Sequence, residues 1–472
     1  MAEKKRVVII GAGPAGLAAA YQLNKLKALD QYEVIIYEMD NQAGGICKTL
    51  NYKGYRFDLG GHRFFTKFPE IDRFYRKFLG KEMLKRNRLS RIYYDNRFYN
   101  YPLSLINALT NLGFSRSIFI LGSWIKRRIK PYTKEVNFKQ WVSNRFGDRL
   151  FEMFFKSYTE KVWGISTTKL SADWAAQRIQ NFDLIKAVIN AIFKTTSGAK
   201  TIISWFYYPK HGPGRLYDQL TDKLLKKGVK IKLNHELSEL RIKNNRVVEV
   251  KLTNLTNNTS FWQKTDYLVS TMPLNQLAIK LGLISKIKKL KQLSFRGFIT
   301  VNLIVKANPF PDQWIYVHDP KVKVGRIQNF RNWSPYMVKP GENKTPIALE
   351  YFASETGSLW LQPDKELIKL AGQELAEIGL IKEEEIVDGF VYRVKNAYPV
   401  YEMGYEKTVN QIKDNLKRFK NVYPCGRGGL FRYNNQDHSM LTGFMVAKNI
   451  LANNHDLDVW QVNESSEYLE AK

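Results

Sequence analysis

Cysteine is nearly absent: two in 472 residues, Cys47 and Cys425, far apart and outside any CxxC or histidine-flanked pattern. Neither a disulfide framework nor a structural zinc is expected, and a reducing cytoplasm fits best. Long apolar runs are missing too. No window offers about 18 uninterrupted apolar residues, so a spanning helix is not expected and any membrane contact would be peripheral, at the inner face. The opening MAEKKRVVIIGAGPAGLAAAYQL starts charged and turns apolar as an export signal does, but its glycines are spaced for a turn and its run continues as a helix, so export is not expected. Zinc-finger spacings, RNP-like motifs and repeats are also lacking, which speaks against nucleic acid as a partner. Acid is the last scarcity. Against 74 Lys and Arg stand 44 Asp and Glu, a net charge of +30, which either gathers anions and anionic surfaces or reflects only a lysine-rich composition.

What is present suffices for two or three domains, since 44% of residues are apolar and 13% aromatic. The run RVVIIGAGPAG reads as a β-branched strand entering a turn at Gly11, Gly13 and Gly16, followed by a helix; a second strand, YEVIIYE, ends at Glu38. Strand, glycine turn, helix and a distant acid form a dinucleotide fingerprint. The first two glycines allow the turn and the approach of a pyrophosphate, the third allows helix–strand packing, and Glu38 would accept from a ribose hydroxyl. Glycine pairs then follow at Gly44–Gly45 and at Gly60–Gly61, just before His62. This second set resembles the two-glycine loop of flavoproteins of the amine oxidase and protoporphyrinogen oxidase superfamily. The resemblance implies FAD as the cofactor and His62 beside the isoalloxazine ring; His62 also reads as a structural hydrogen-bonder.

The expected class is α/β: a Rossmann-like FAD-binding domain with an inserted helical domain and a second mixed sheet for substrate. FAD-domain segments are expected at 1–85, 206–275 and 396–455, a mainly helical substrate-side domain at 86–205, a mixed-sheet substrate domain at 276–395 and a tail at 456–472. The segment CGRGGLFRYNNQDHSML, 425–441, reads as a strand–loop–helix return to the nucleotide domain, its loop and helix start, with Gly426 and Arg427, completing the cradle. FSRSIFILGSWIKRRIKPY, 114–132, reads either as an interfacial helix with a basic end or as a buried helix with a solvated cationic terminus.

KVWGISTTKLSADWAAQR, 161–178, resembles the eukaryotic-type UDP-galactopyranose mutases, and the likeness extends in order through YPKHGPG, LVSTMP, RNWSPY, YPVYE and YNNQDHS. The resemblance implies a ring contraction in which reduced flavin N5 attacks the sugar's anomeric carbon and the nucleoside diphosphate leaves, an isomerisation without net redox change. It places Arg178 and Arg326 on the diphosphate, where guanidinium forks bind phosphate oxygens bidentately. Tyr101, Trp163, Tyr316, Tyr398, Tyr433 and Asn435 would line the nucleotide-sugar pocket. Gln436 and Ser439 would contact the flavin, with His62 beside its ring. Implied partners are a nucleotide-diphosphate sugar and an external reductant such as NAD(P)H or a reductase, in cell-surface polysaccharide biosynthesis. Two departures stand out. The family's YPFQ is here YPLS, with Leu103 and Ser104, and the link from Tyr433 to Asn435 is shorter, so base and sugar stay open, and a polyprenyl-linked sugar is included. An FAD oxidase or dehydrogenase acting on an amine, porphyrinogen-like or polyene substrate is the competing enzyme class; a flavin-carrying membrane-associated scaffold is the non-enzymatic one.

Overall fold

The computed structural model describes residues 3–101, 112–174 and 204–463. Its first layer is a five-stranded parallel sheet ordered Val422–Pro424, Tyr267–Ser270, Lys5–Ile10, Tyr32–Tyr37, Lys230–Lys232. Both faces of Lys5–Ile10 are covered, which is why its Val and Ile run does not alternate with polar residues. The helix Pro14–Lys25 begins with proline at its first turn, where no N–H is needed. It crosses the C-terminal helix Gln436–Ala452 so closely that a Cβ on Gly443 would stand 2.2 Å from the Ala15 carbonyl oxygen and 3.0 Å from the Ala19 nitrogen. The last part of the chain is thus fastened to the first.

The second layer is a seven-stranded mixed sheet ordered Ile386–Pro399, Phe295–Lys306, Lys344–Ala353, Arg326–Asn329, Trp314–Val317, Ser90–Tyr94, Arg97–Asn100. Its two faces differ in kind. Ile299, Val301, Leu303, Ile327, Ile347 and Leu349 form an apolar face, on which the helix Asp364–Glu377 packs Leu367, Ala371 and Leu375. Alternate residues face the other way, and that face holds Thr300, Asn302, Arg326, Gln328 and Glu350.

Two of these strands come from the 86–205 stretch, expected to be mainly helical. RIYYDNRFYN makes a hairpin instead, because Asp95 and Asn96 at φ 51° and 55° supply the left-handed pair that a two-residue turn requires. The strand Ile386–Pro399 likewise runs across the expected boundary at 395 and carries Tyr398 with it. Further along the chain from Arg97–Asn100 come the helices Phe114–Ile129 and Phe138–Phe146 and a helical run to Trp163 with a wide π-type turn at Phe151–Lys156. No helix among the described residues is long and apolar enough to cross a membrane.

Gly443→Val should cost about 1–3 kcal/mol by overpacking the helix crossing, read as a lowered thermal midpoint; an unchanged midpoint would mean that the two helices do not meet so closely.

Candidate active site

The expected nucleotide cradle is built from the tips of three parallel strands. After Ile10, Gly11 turns at φ 100° and its missing Cβ leaves room for Thr271 Oγ1, which a Cβ would approach to 2.0 Å. A Cβ on Gly16 would stand 2.0 Å from the Gly11 oxygen, so the third glycine lets the helix reach the turn. Gly13 is different. It has an ordinary φ of −77°, and a Cβ there would meet nothing nearer than Gly45 Cα at 3.8 Å. The protein's own packing does not call for glycine at 13; a group seated against that backbone would.

Glu38 follows the second strand, buried, accepting from the Ala12 N–H at 2.6 Å and the Asp40 N–H at 2.9 Å. Burial pushes its carboxyl up and those two N–H bonds oppose it. Gly44 donates to the Ala12 carbonyl at 2.8 Å and Gly45 lies against Gly13, joining the second glycine pair to the first turn. From the C-terminal side, Gly428 and Gly429 lie flat on Ser270 and Thr271, while the Gly426 N–H donates to Thr442 Oγ1 at 3.0 Å.

One transverse row of the mixed sheet carries the rest. Register sets Tyr392, Thr300, Glu350, Arg326 and Tyr316 side by side on five neighbouring strands, all on the polar face. Glu350 is fully buried. Its Oε2 is 2.9 Å from Arg326 Nη2, and its Oε1 accepts from Gln328 Nε2 at 2.8 Å. Arg326 Nη2 also donates to Tyr398 Oη at 2.9 Å, while its Nε has no hydrogen-bond partner among the described residues. Burial opposes the charge on Arg326, but Glu350 together with Tyr398, Tyr158 and Tyr433 outweighs it and the guanidinium is held cationic. At the far end of the row, Tyr392 Oη donates to Asp40 at 2.7 Å and accepts from Lys48 at 2.8 Å, tying the sheet to the loop after Glu38.

Gly60 and Gly61 come down onto this row: a Cβ on Gly60 would stand 3.4 Å from Glu350 Oε1, and one on Gly61 3.3 Å from Gln328 Nε2. His62 follows, its Nε2 bonded to the Leu59 carbonyl at 3.0 Å, which leaves Nδ1 as acceptor facing the Cys47 thiol at 3.9 Å. Burial and the cationic Arg427 pull its pKa down to about 4. At neutral pH His62 is uncharged, a hydrogen-bonding wall rather than a general acid.

An aromatic pocket closes over Arg326. Tyr398 and Tyr433 stack at 5.5 Å with Arg427 over the Tyr433 ring at 4.6 Å, and Trp163 touches both tyrosines. Tyr101 and Tyr158 flank Tyr316 at 4.8 and 5.7 Å. Asn435 caps the helix Gln436–Ala452. Gln436 accepts from Tyr75 Oη at 2.6 Å and Tyr217 Oη at 3.0 Å, and Ser439 is buried one turn further on. Arg178 lies outside the described residues. The sequence reading had passed over Glu350, Gln328 and Tyr158; the signal for Glu350 was a lone acid inside the apolar strand PIALEYFA.

Residues 14–445 match the family of flavin containing amine oxidoreductases. The chain belongs to this family. In overall structure it is similar to reduced UDP-galactopyranose mutase, with a TM-score of 0.83 at 22% identity over 98% of this chain and 97% of that one. It is also similar to a proposed protoporphyrinogen oxidase from Exiguobacterium sp. 255-15, with a TM-score of 0.73 at 16% identity over 96% of this chain and 100% of the other. In sequence it is 24% identical over 273 residues to the 1-hydroxycarotenoid 3,4-desaturase of Flavobacterium sp., covering 52% of this chain and 53% of that protein, about half the relative's length.

Membership implies FAD or a related flavin, and the cradle fits one at Gly13, where the backbone is left bare for no internal reason. Two glycine variants separate the roles. Gly13→Ala should leave the flavin-free protein as stable or up to about 1 kcal/mol more stable while lowering flavin occupancy, read from the flavin-to-protein absorbance ratio; Gly16→Ala should lower the thermal midpoint of the flavin-free protein itself.

His318, stacked on Tyr158 at 4.5 Å, gives a pH signature. Burial, with Lys161 nearby, pulls its pKa down to about 3, so the unfolded chain binds the proton more readily. Its contribution is complete above the ordinary histidine range and fades as pH falls toward 3. The thermal midpoint of His318→Phe should therefore fall less steeply than that of the parent over this acid range; parallel profiles would mean that His318 already carries its proton.

Proposed function

We propose that the protein is a flavin-dependent mutase of nucleotide-diphosphate sugars, of the UDP-galactopyranose mutase type, interconverting pyranose and furanose forms for surface polysaccharide synthesis. The observation that carries this reading is the sign of the pocket's charge. Two guanidinium groups, Arg326 and Arg427, stand among the stacked tyrosines, and Glu350, the acid beside Arg326, is already spent on it. A cationic amine would meet repulsion here, and a polyene would have to cover a desolvated positive charge; a diphosphate answers it. The ordered motifs shared with the mutases, from 161 to 439, support the same choice.

Bound in its reduced form, the flavin would supply the nucleophile for the sugar's anomeric carbon. The chain's own residues then have three tasks. Arg326, with its idle Nε donor, binds the diphosphate and stabilises the charge growing on it as it leaves, with Arg178 as the proposed second contact. Trp163, Tyr398 and Tyr433 form a wall that keeps water from the anomeric centre. Neutral His62 neither gives nor takes a proton at pH 7 and, with its ring nitrogens turned to the Leu59 carbonyl and the Cys47 thiol, serves as a fixed, uncharged wall.

Dithionite-reduced protein, incubated anaerobically with UDP- and dTDP-pyranoses, should form furanose isomers with no change in flavin redox state. Arg326→Lys, which keeps the charge and loses the fork, should lower that turnover by about 10²-fold or more with flavin still bound. No isomer from any donor, together with flavin reduction by an amine or an apolar substrate, would transfer the protein to the oxidoreductases.

A further inference from the structure

The helix Phe114–Ile129 presents an unusual outer face. Ile118, Leu121, Ile125 and Ile129 recur at three- and four-residue steps and form one stripe along it, open to solvent, with Ile129 73% exposed; Phe119, 67% exposed, lies beside them. Four bulky aliphatic groups in line are a patch, not scattered exposure. The helix is fixed in this orientation from behind: Ile120 is buried, Trp124 Nε1 donates to the Arg145 carbonyl at 3.2 Å, and Arg127 pairs with Asp148 at 2.6 Å.

Cations border the stripe. Lys126 and Arg128 fall on its two sides, and Lys130 and Lys134 follow the helix end; from 114 to 134 there is no acid. None of these four is in an ion pair among the described residues. An apolar stripe between two rows of cations has the composition of a helix that lies in the headgroup region of a bilayer, its apolar side chains among the acyl chains and its lysines on lipid phosphates.

The geometry points to this face as a docking surface for an anionic lipid bilayer. Charge decides against a second copy and against the segments 102–111 and 175–203, and leaves the acidic 464–472, with Glu464, Glu467 and Glu470 against Lys472, as the alternative that the thermal midpoint distinguishes. A second copy would set the same cations against each other. The segments 102–111 and 175–203 offer Arg178, Lys186, Lys194 and Lys200 against Asp183 alone, and so cannot neutralise it. An anionic membrane meets the stripe and its borders at once. Docking would bring the substrate-side layer toward lipid, since Arg116 at the start of the helix pairs with Asp95 in the hairpin that leads to Tyr101.

The full-length, flavin-loaded protein is sedimented with phosphatidylcholine vesicles and with vesicles containing phosphatidylglycerol. Binding to the anionic vesicles only, released by high salt, is expected, and both Ile125→Asp and the pair Lys126→Glu with Arg128→Glu should weaken it by about tenfold while flavin content stays constant. Absence of the parent protein from both pellets would overturn the proposal. In that event, an Ile125→Asp variant that is monomeric where the parent is dimeric would assign the stripe to a second copy, and one with a sharply lower thermal midpoint would assign it to the chain's own segments.

Discussion

A guanidinium with only 16% of its side chain exposed and a fully buried carboxylate meet across two neighbouring strands, and the arrangement of the molecule follows from keeping them there. Removing Arg326 and Glu350 from water costs several kcal/mol per ion, and their attraction repays it only with good geometry and further hydrogen bonds. Gln328 supplies one to Glu350 and Tyr398 takes one from Arg326. Such a pair is a poor way to stabilise a fold. What it secures is a permanent positive charge, aimed and desolvated, in a place where a mobile surface arginine would be hydrated and indifferent.

Holding that charge in place requires two layers that meet at one line. The parallel sheet ends in turns thin enough for backbone to touch backbone, Gly45 against Gly13 and Gly428 against Thr271. The mixed sheet presents its polar row at the same level, and Gly60 and Gly61 lie where the two come together. Tyr392, Asp40 and Lys48 close the other end with a three-way contact. A Cβ at Gly61 would crowd Gln328 and Trp333 at 3.3 Å, while Gly60, beside Glu350, is held to glycine by its φ of 107°, so the path of the glycine loop and the position of the ion pair are linked.

Local features of this design were legible in the amino-acid order. Gly11, Gly13, Gly16 and Glu38 announce themselves because the turn, the helix start and the distant acid lie within one strand–helix–strand unit. The role of 425–441 was legible too, since strand, glycines and helix are contiguous. Glu350 was not, because an acid in an apolar strand acquires meaning only when register sets it beside Arg326, 24 residues earlier in the chain. Gly443 was hidden for a similar reason: its partner, Ala15, lies at the other end of the sequence. The hairpin of 90–100 carried its signal in Asp95–Asn96, which was overlooked among helical neighbours.

The same two layers serve relatives with unrelated chemistry, so the chemistry has to be decided by what the polar row presents to the cofactor. Here the row presents Thr300, Glu350, Arg326 and Tyr316, and the facing loop adds Arg427 and a histidine that has lost its charge. A protonated His62 would add a positive charge opposed by Arg427, and it is burial first, then this neighbour, that keeps the imidazole neutral. Positive charge at the site is therefore concentrated in guanidinium groups, which do not titrate, and withheld from the histidine. A pocket organised this way is suited to gripping an anion whose charge changes during the reaction, and poorly suited to passing protons. On the proposed reading, binding and leaving-group stabilisation are the parts of catalysis that this chain would supply itself, while a bound flavin would supply the bond-making electrons.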